Sequence, residues 1–302
     1  MRRLVLIAAL AGPIAALATL AATSAQPAKV VNDGYGDMLY VPAGAFQMGD
    51  TFGDGEARER PAHTVDVDAF YIGKLEITNA EWRRFRDDAA YENAKYWPDG
   101  RPVPKNQVTY WTDAQNHGGG TPNSDPYPVI GVNWDSAVAY TKWISEKTGK
   151  TYRLPTEAEW EKAARGTDGR RFPWGNTIDR SYANYSGSQA YDTVMPVGTF
   201  DGSRRGELQT RSNASPYGAL DMAGNVMEWC LDWYDRDYYA KSPRKNPKGP
   251  ATGAYRVVRG GTFVMEAQDQ RVYARTASWP SFKGHRMTGF RLVRAVSENL
   301  LH

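Results

Sequence analysis

Residues 153–166 read RLPTEAEWEKAARG. Thr156 followed three residues later by Glu159 is the capping-box pattern that opens a helix, and Gly166 supplies its close. The stretch just before it, NWDSAVAYTKWISEKTGK (133–150), sets Trp134, Ala137, Val138, Thr141 and Ile144 on one helical face and stops at Gly149. Further back, TNAEWRRFRDD (78–88) opens with Thr78 and Glu81, a second capping box. Between these helices and around them the period changes. MLYVPAGAFQMG (38–49) and HTVDVDAFYIGKLEIT (63–78) alternate as strands do, through Val65, Val67, Phe70 and Ile72. Pro, Gly, Asn and Asp crowd residues 98–127 (NHGGGTPNSDPYP, 116–128), which predicts a long surface loop. Few helices, many short strands and long loops predict an α+β domain rather than a doubly wound one.

Composition agrees. Ten Trp, 18 Tyr, 29 Gly and 18 Pro in 302 residues suit an irregular fold held by large flat side chains. The net charge of +3 points to no nucleic acid and no strongly acidic partner. The basic run KSPRKNPKGPATG (241–253) is expected as a solvated loop. The sequons at Asn184 and Asn213 carry little weight behind a bacterial-looking leader.

The first residues form that leader. MRR is followed by the apolar LVLIAALAGPIAALATLAA and the small residues TSA, with a cut expected after Ala25. The apolar run is nearly long enough to span a bilayer, but Pro13 and the small residues favour cleavage over retention as an anchor. The expected organisation is a signal peptide at 1–25, a tether at 26–35 and one domain at 36–297. A periplasmic protein with no stable membrane insertion follows. Cys230 is the sole cysteine, so no intrachain disulfide can form, and between Trp229 and Leu231 it is expected as a small buried hydrophobe. His63, His117, His285 and His302 are scattered and make a poor metal set.

RLPTEAEWEKAARG, FPWGN (172–176), YGALDMAGNVMEW (217–229), VVRGGTF (257–263) and GFRLVRA (289–295) occur in an order and spacing that resemble the formylglycine-generating enzyme, or sulfatase-modifying-factor, family. VPAGAFQMGD (41–50) and LEITNAEW (75–82) fit as well, so the likeness spans about 36–296. The resemblance implies an irregular C-type-lectin-like fold with structural calcium. In that pattern Asp221 and Glu228 give side chains to the metal, and Gly224 and Val226 give carbonyls, an oxygen set that suits calcium. The alternative is that these carboxylates cap loops or pair with arginines. A second site would use Asn184 and the carbonyl of Tyr185, with Asp192 standing in for a shortened acidic loop. The tryptophans of EWEKAARG, FPWGN and NVMEW are expected in the core, and Arg291 as a buried structural arginine.

The resemblance also frames GGTFVMEAQDQRVYAR (260–275). Family members that oxidise a sulfatase cysteine carry two cysteines after the Gly pair, which bind copper(I). Here Met265 and Gln270 stand at those places, and Thr262 stands for the family's serine. A thioether and an amide cannot act as thiolates, so no copper site and no formylglycine generation are expected. The remaining groups are polar. If the segment is a strand, Glu266 and Gln270 share a face, with Glu266 as candidate base and Tyr273 and His285 as auxiliaries. Gln270, Arg271, Arg275 and Trp279 are the candidate substrate contacts.

Two functions remain. One is a periplasmic maturation or oxidation enzyme acting on a small peptide-derived substrate such as a siderophore precursor, similar to the family's cysteine-lacking exported branch implicated in pyoverdine maturation. The other is a non-catalytic, calcium-stabilised binding or assembly factor for a periplasmic protein or glycan.

Overall fold

The computed structural model describes residues 29–105, 125–186, 193–281 and 287–296. The expected leader, most of the 98–127 loop, Asp192 and His285 lie outside them. Alternating side chains build two sheets. In the first, β1 (Val30–Asn32), β2 (Asp37–Val41), β5 (Phe70–Gly73), β13 (Val293–Ala295) and β6 (Tyr152–Arg153) run in the order β1-β2-β5-β13-β6. In the second the order is β11 (Thr276–Ser278), β10 (Arg256–Arg259), β9 (Met227–Trp233) and β12 (Thr288–Gly289). Two hairpins complete the strands: β3 (Gly44–Met48) with β4 (His63–Val67), and β7 (Arg204–Arg205) with β8 (Leu208–Gln209). Residues 30–32, expected as tether, are instead an edge strand paired with 37–39.

The period of two explains why the sheets divide the interior. Met38 and Tyr71 join one apolar cluster, while Leu39, Val41, Phe70 and Ile72 join the other. On β9, Met227 and Trp229 face the first cluster and Cys230 the second. Helix α2 (Trp134–Thr148) closes the first cluster, where Tyr140 and Trp143 add to the expected stripe. Helix α1 (Asn79–Arg86) adds Trp82 and Phe85. Both expected capping boxes are present, Thr78 with Glu81 and Thr156 with Glu159.

Helix α3 (Glu157–Arg165) departs from the amphipathic pattern, because every one of its residues is buried. Trp160 fills the second cluster, and the charged residues beside it are buried with partners brought from far along the chain. Of the three tryptophans expected in the core, Trp160 and Trp229 are there. Trp174 is the exception: it lies half-exposed in a parallel stack, 5.5 Å from Phe172 and 5.1 Å from Tyr182.

Candidate functional site

β10 leads into Gly260 and Gly261, whose φ values are 98° and 70°. A Cβ on Gly261 would lie 2.3 Å from Gln270 Oε1 and 2.8 Å from the Asp269 carbonyl, so a glycine is required where the chain folds back on itself. The folded-back piece is a 3-10 turn, Ala267–Gln270, and not the strand expected there. Its cause is Gln270. The amide is fully buried, and Nε2 donates to the carbonyls of Thr262, Met265 and Glu266 at 3.1, 3.2 and 3.2 Å. These bonds close the loop on its own backbone, an arrangement a thiol at that position could not make.

The turn separates Glu266 from Gln270. Glu266 is exposed at the start of the turn, and its backbone N–H donates to Asp269 Oδ2 at 3.1 Å. The shared face expected for Glu266 and Gln270 therefore does not form. The carboxylate at the cleft is Asp269. A cavity of about 60 Å³ lies against Gly260, Gly261, Met265 and Asp269, with Arg58 and Thr276 also bordering it. Glu266 and Tyr273 do not line it.

Tyr273 faces a different partner. Its hydroxyl donates to Asp54 Oδ1 at 2.6 Å, and its ring stacks on Phe52 at 5.9 Å. Arg271 donates to the Asp54 carbonyl at 2.9 Å and to Oδ1 at 3.1 Å, and Arg171 reaches Oδ2 at 3.0 Å. Asp54 thus gathers two guanidiniums and a phenol from a short Gly-rich loop. Burial and the hydrogen bond to Asp54 both push the Tyr273 phenol upward, so it stays protonated and acts as a donor. Sequence reading passed over Asp54, since a DG pair at 54–55 reads as a turn.

Arg275, one of the expected substrate contacts, also borders the cavity at Gly261, with its guanidinium bonded inside the protein. Its Nε and Nη2 donate to Glu157 at 2.7 and 2.9 Å, and Nη1 donates to the Arg58 carbonyl at 2.7 Å. Arg259 bonds Glu161 at 2.5 Å, and Glu161 also holds Arg165 at 2.9 Å. Burial opposes ionisation of Glu157, but the Arg275 and Arg259 charges outweigh it and hold the carboxyl below its usual range. Beside it, burial and the Glu157 charge lift Asp232 to about 8. The Gly pair therefore rests on a buried ionic network anchored by α3. Trp279 lies outside the cleft, half-exposed after β11 and 4.4 Å from the Tyr255 ring. His285 lies outside the described residues.

The residues expected to hold calcium form a second buried group. Both Glu228 oxygens accept from Arg291, at 2.6 and 2.7 Å, and Oε2 also accepts from Trp160 at 2.8 Å. Asp221, at φ 59°, accepts from Asn213 Nδ2 at 2.9 Å and from the Gly198 N–H at 2.5 Å. Glu76 lies near both. Its Oε2 is buried without a partner among the described residues, as is Asn184 Oδ1. Asn184 and Tyr185 are buried, and the Asn184 carbonyl accepts from the Asn225 N–H at 2.9 Å. Burial, then the Asp221 charge, lifts Glu76 well above the carboxylate range, and burial lifts Asp221 too. Glu228 has its counter-ion in Arg291, whereas Glu76 and Asp221 have no ion pair among the described residues. Asp221 and Glu76 fit a cation by charge, and Glu76 Oε2 and Asn184 Oδ1 by their open oxygens, whereas Glu228, bonded through both oxygens to Arg291 and Trp160, does not.

The pattern described as the sulfatase-modifying factor enzyme 1-like domain matches residues 23–296. A formylglycine-generating enzyme of Streptomyces coelicolor is 34% identical over 283 residues, covering 83% of this chain and 87% of that protein. Serine/threonine-protein kinase pkn1 of Chlamydia caviae is 33% identical over 266 residues, but those cover 86% of this chain and only 38% of the kinase. Among solved structures, PvdO from Pseudomonas aeruginosa superposes with a TM-score of 0.67 at 24% identity, covering 90% of this chain and 99% of PvdO.

Proposed function

Because this chain belongs to the sulfatase-modifying factor family yet carries Met265 and Gln270 where a thiolate pair would stand, we propose that it is an exported maturation protein acting without that pair. Its substrate is a small peptide-derived molecule such as a siderophore precursor, and its chemistry a two-electron oxidation in which an acceptor drawn from solution, such as dioxygen, takes the electrons and is reduced to hydrogen peroxide with the two protons released. The observation that carries this is Gln270: the amide occupies the position with three hydrogen bonds of its own, so the site is rebuilt. The cleft of about 60 Å³ admits an end group of a substrate, not a whole side chain with its backbone. Asp269 is then the proton acceptor, in the place that sequence reading gave to Glu266. Export rests on residues 1–25, whose charged, apolar and small segments have the order of a secretory leader.

Calcium belongs to the same proposal as a structural ion. Asp221, with the Gly224 and Val226 carbonyls, would hold it, while Glu228 stays with Arg291, and Asn184 with the Tyr185 carbonyl would form the second site. When bound, calcium supplies the positive charge that Asp221 and Glu76 lack.

A second function, a calcium-stabilised binding or assembly factor, is favoured by one observation. Tyr273, Arg271 and Arg275 already spend their polar atoms inside the protein. Mass spectrometry of periplasmic small molecules separates the two. Cells lacking the protein, or carrying Asp269→Asn, should accumulate a precursor heavier than the mature compound by a pair of hydrogens. An unchanged profile in both strains, with a partner retained on the purified protein, would establish the binding factor instead.

A further inference from the structure

A larger cavity lies elsewhere, sharing no residue with the cleft at Gly261. It measures about 330 Å³, within the range of small-molecule sites. Met38, Leu75, Ile77 and Leu292 make its walls largely apolar. Four charged groups belong to its lining, Asp37, Lys74, Glu76 and, at the start of α1, Glu81. Glu81 is half-buried, and its Oε2 accepts from the Thr78 N–H and hydroxyl at 2.8 and 2.7 Å. Oε1 takes no such bond among the described residues. It points toward Gly36, where an added Cβ would come within 3.1 Å.

Gly36 therefore leaves this oxygen uncovered, and φ 93° requires a glycine there in any case. The cations around the cavity are otherwise engaged. Arg84 lies 4.0 Å over the Tyr35 ring and donates to the Gly34 carbonyl at 2.9 Å, while Lys74 pairs with Asp37 at 3.9 Å. Burial raises the Glu81 carboxyl, and the Thr78 bonds only partly offset it. The lining thus joins an apolar wall to two carboxylates without an ion pair among the described residues, the buried Glu76 and the half-buried Glu81, and Glu81 is the one that keeps a free oxygen on the accessible side.

We propose that this cavity binds the primary ammonium group of a small, mostly apolar molecule, with Glu81 Oε1 as its counter-ion and the Met38, Leu75, Ile77 and Leu292 walls enclosing the apolar part. A free hydrophobic amine and the N-terminus of a hydrophobic peptide share this chemistry. The apolar walls contribute affinity without selecting charge, and Glu81 supplies the selection.

The test compares phenethylamine with 2-phenylethanol, which has the same shape and no charge, by isothermal titration of the mature, calcium-loaded protein at pH 8. Phenethylamine should bind at least about tenfold more tightly, the scale of one charge-assisted hydrogen bond. Glu81→Gln keeps the acceptor for Thr78 and should bring the two ligands to equal affinity, with an unchanged melting temperature showing that the cap survives. Equal binding of both ligands to the unmodified protein, or binding of neither, overturns the proposal without recourse to the variant. So does a preference that persists in Glu81→Gln. Competition by amidated Phe-Ala would assign the site to peptide N-termini, and its failure while phenethylamine binds would assign it to free amines.

Discussion

The phenol of Tyr273 and the carboxylate of Asp54 meet at 2.6 Å although 219 residues separate them. Asp54 also receives Arg271 and Arg171, so one carboxylate on a surface loop fixes the floor beside the Gly260–Gly261 turn. Asp54→Asn keeps an acceptor but removes the charge. It should therefore lower the Tyr273 phenol part of the way toward the ordinary tyrosine range, read as the difference between alkaline titrations with and without an added Tyr273→Phe substitution. Asp54→Ala should cost roughly 1 kcal/mol in urea unfolding, the modest figure expected for a partly exposed hub. A Tyr273 titration identical in Asp54→Asn and the unmodified protein would break the link.

Gln270 is the residue on which the local backbone depends. Gln270→Ala removes donors to three carbonyls and leaves a void against Gly261, and should cost about 2–3 kcal/mol. Gln270→Glu should be worse, since a buried carboxylate would face those carbonyls. Chemical denaturation of the two variants checks the order.

Arg275 tests whether the charged groups behind the Gly pair are structural. Arg275→Met removes the bidentate partner of buried Glu157 and leaves it Arg259 at 3.7 Å, so a loss of about 3 kcal/mol is expected, the low end for a broken buried pair. Arg275→Lys should recover little of it, because an ammonium cannot reproduce the bidentate pair. Near-native stability of Arg275→Met would return Arg275 to the candidate substrate contacts.

Asp232 sets a pH signature. Its folded-state value of about 8 exceeds the ordinary 3.8, so between these values the folded protein holds a proton that the unfolded chain has lost. The stabilisation is complete below the lower value and is lost as pH rises toward the upper one. Asp232→Asn retains an acceptor for the Glu157 N–H and should abolish that part of the decline. Melting curves from pH 4 to pH 9 for both proteins would show it, and parallel curves would refute it.

Calcium is tested at Asp221. Asp221→Ala should lower the melting temperature when calcium is present and narrow the difference once a chelator is added, because the unmodified protein then loses the ion as well. Equal differences with and without chelator would leave Asp221 a loop-capping residue.

The sequence alone determined the elements whose cause is local. Thr78 with Glu81 and Thr156 with Glu159 open helices because each cap bonds to a backbone group three residues away. Phe70, Tyr71 and Ile72 alternate between two apolar clusters because a strand has a period of two. The ordered motifs from 153 to 295 were enough to place the chain in its family, and Met265 and Gln270 were enough to remove the thiolate pair.

Only the tertiary structure decided what those residues do. Residues 266–270 have polar spacing compatible with a strand, yet they turn because the Gln270 amide bonds the Thr262, Met265 and Glu266 carbonyls of the segment that follows the double glycine. Helix α3 carries Glu157, Glu161 and Arg165, all buried because Arg259 and Arg275 arrive from β10 and the chain beyond it to neutralise the two glutamates, while Arg165 pairs with Glu161. Glu266 was left outside the cleft and Asp269 brought to it by the same turn. Local propensity could not carry this information, since a charge or amide is buried only where a partner distant in sequence offsets its lost hydration.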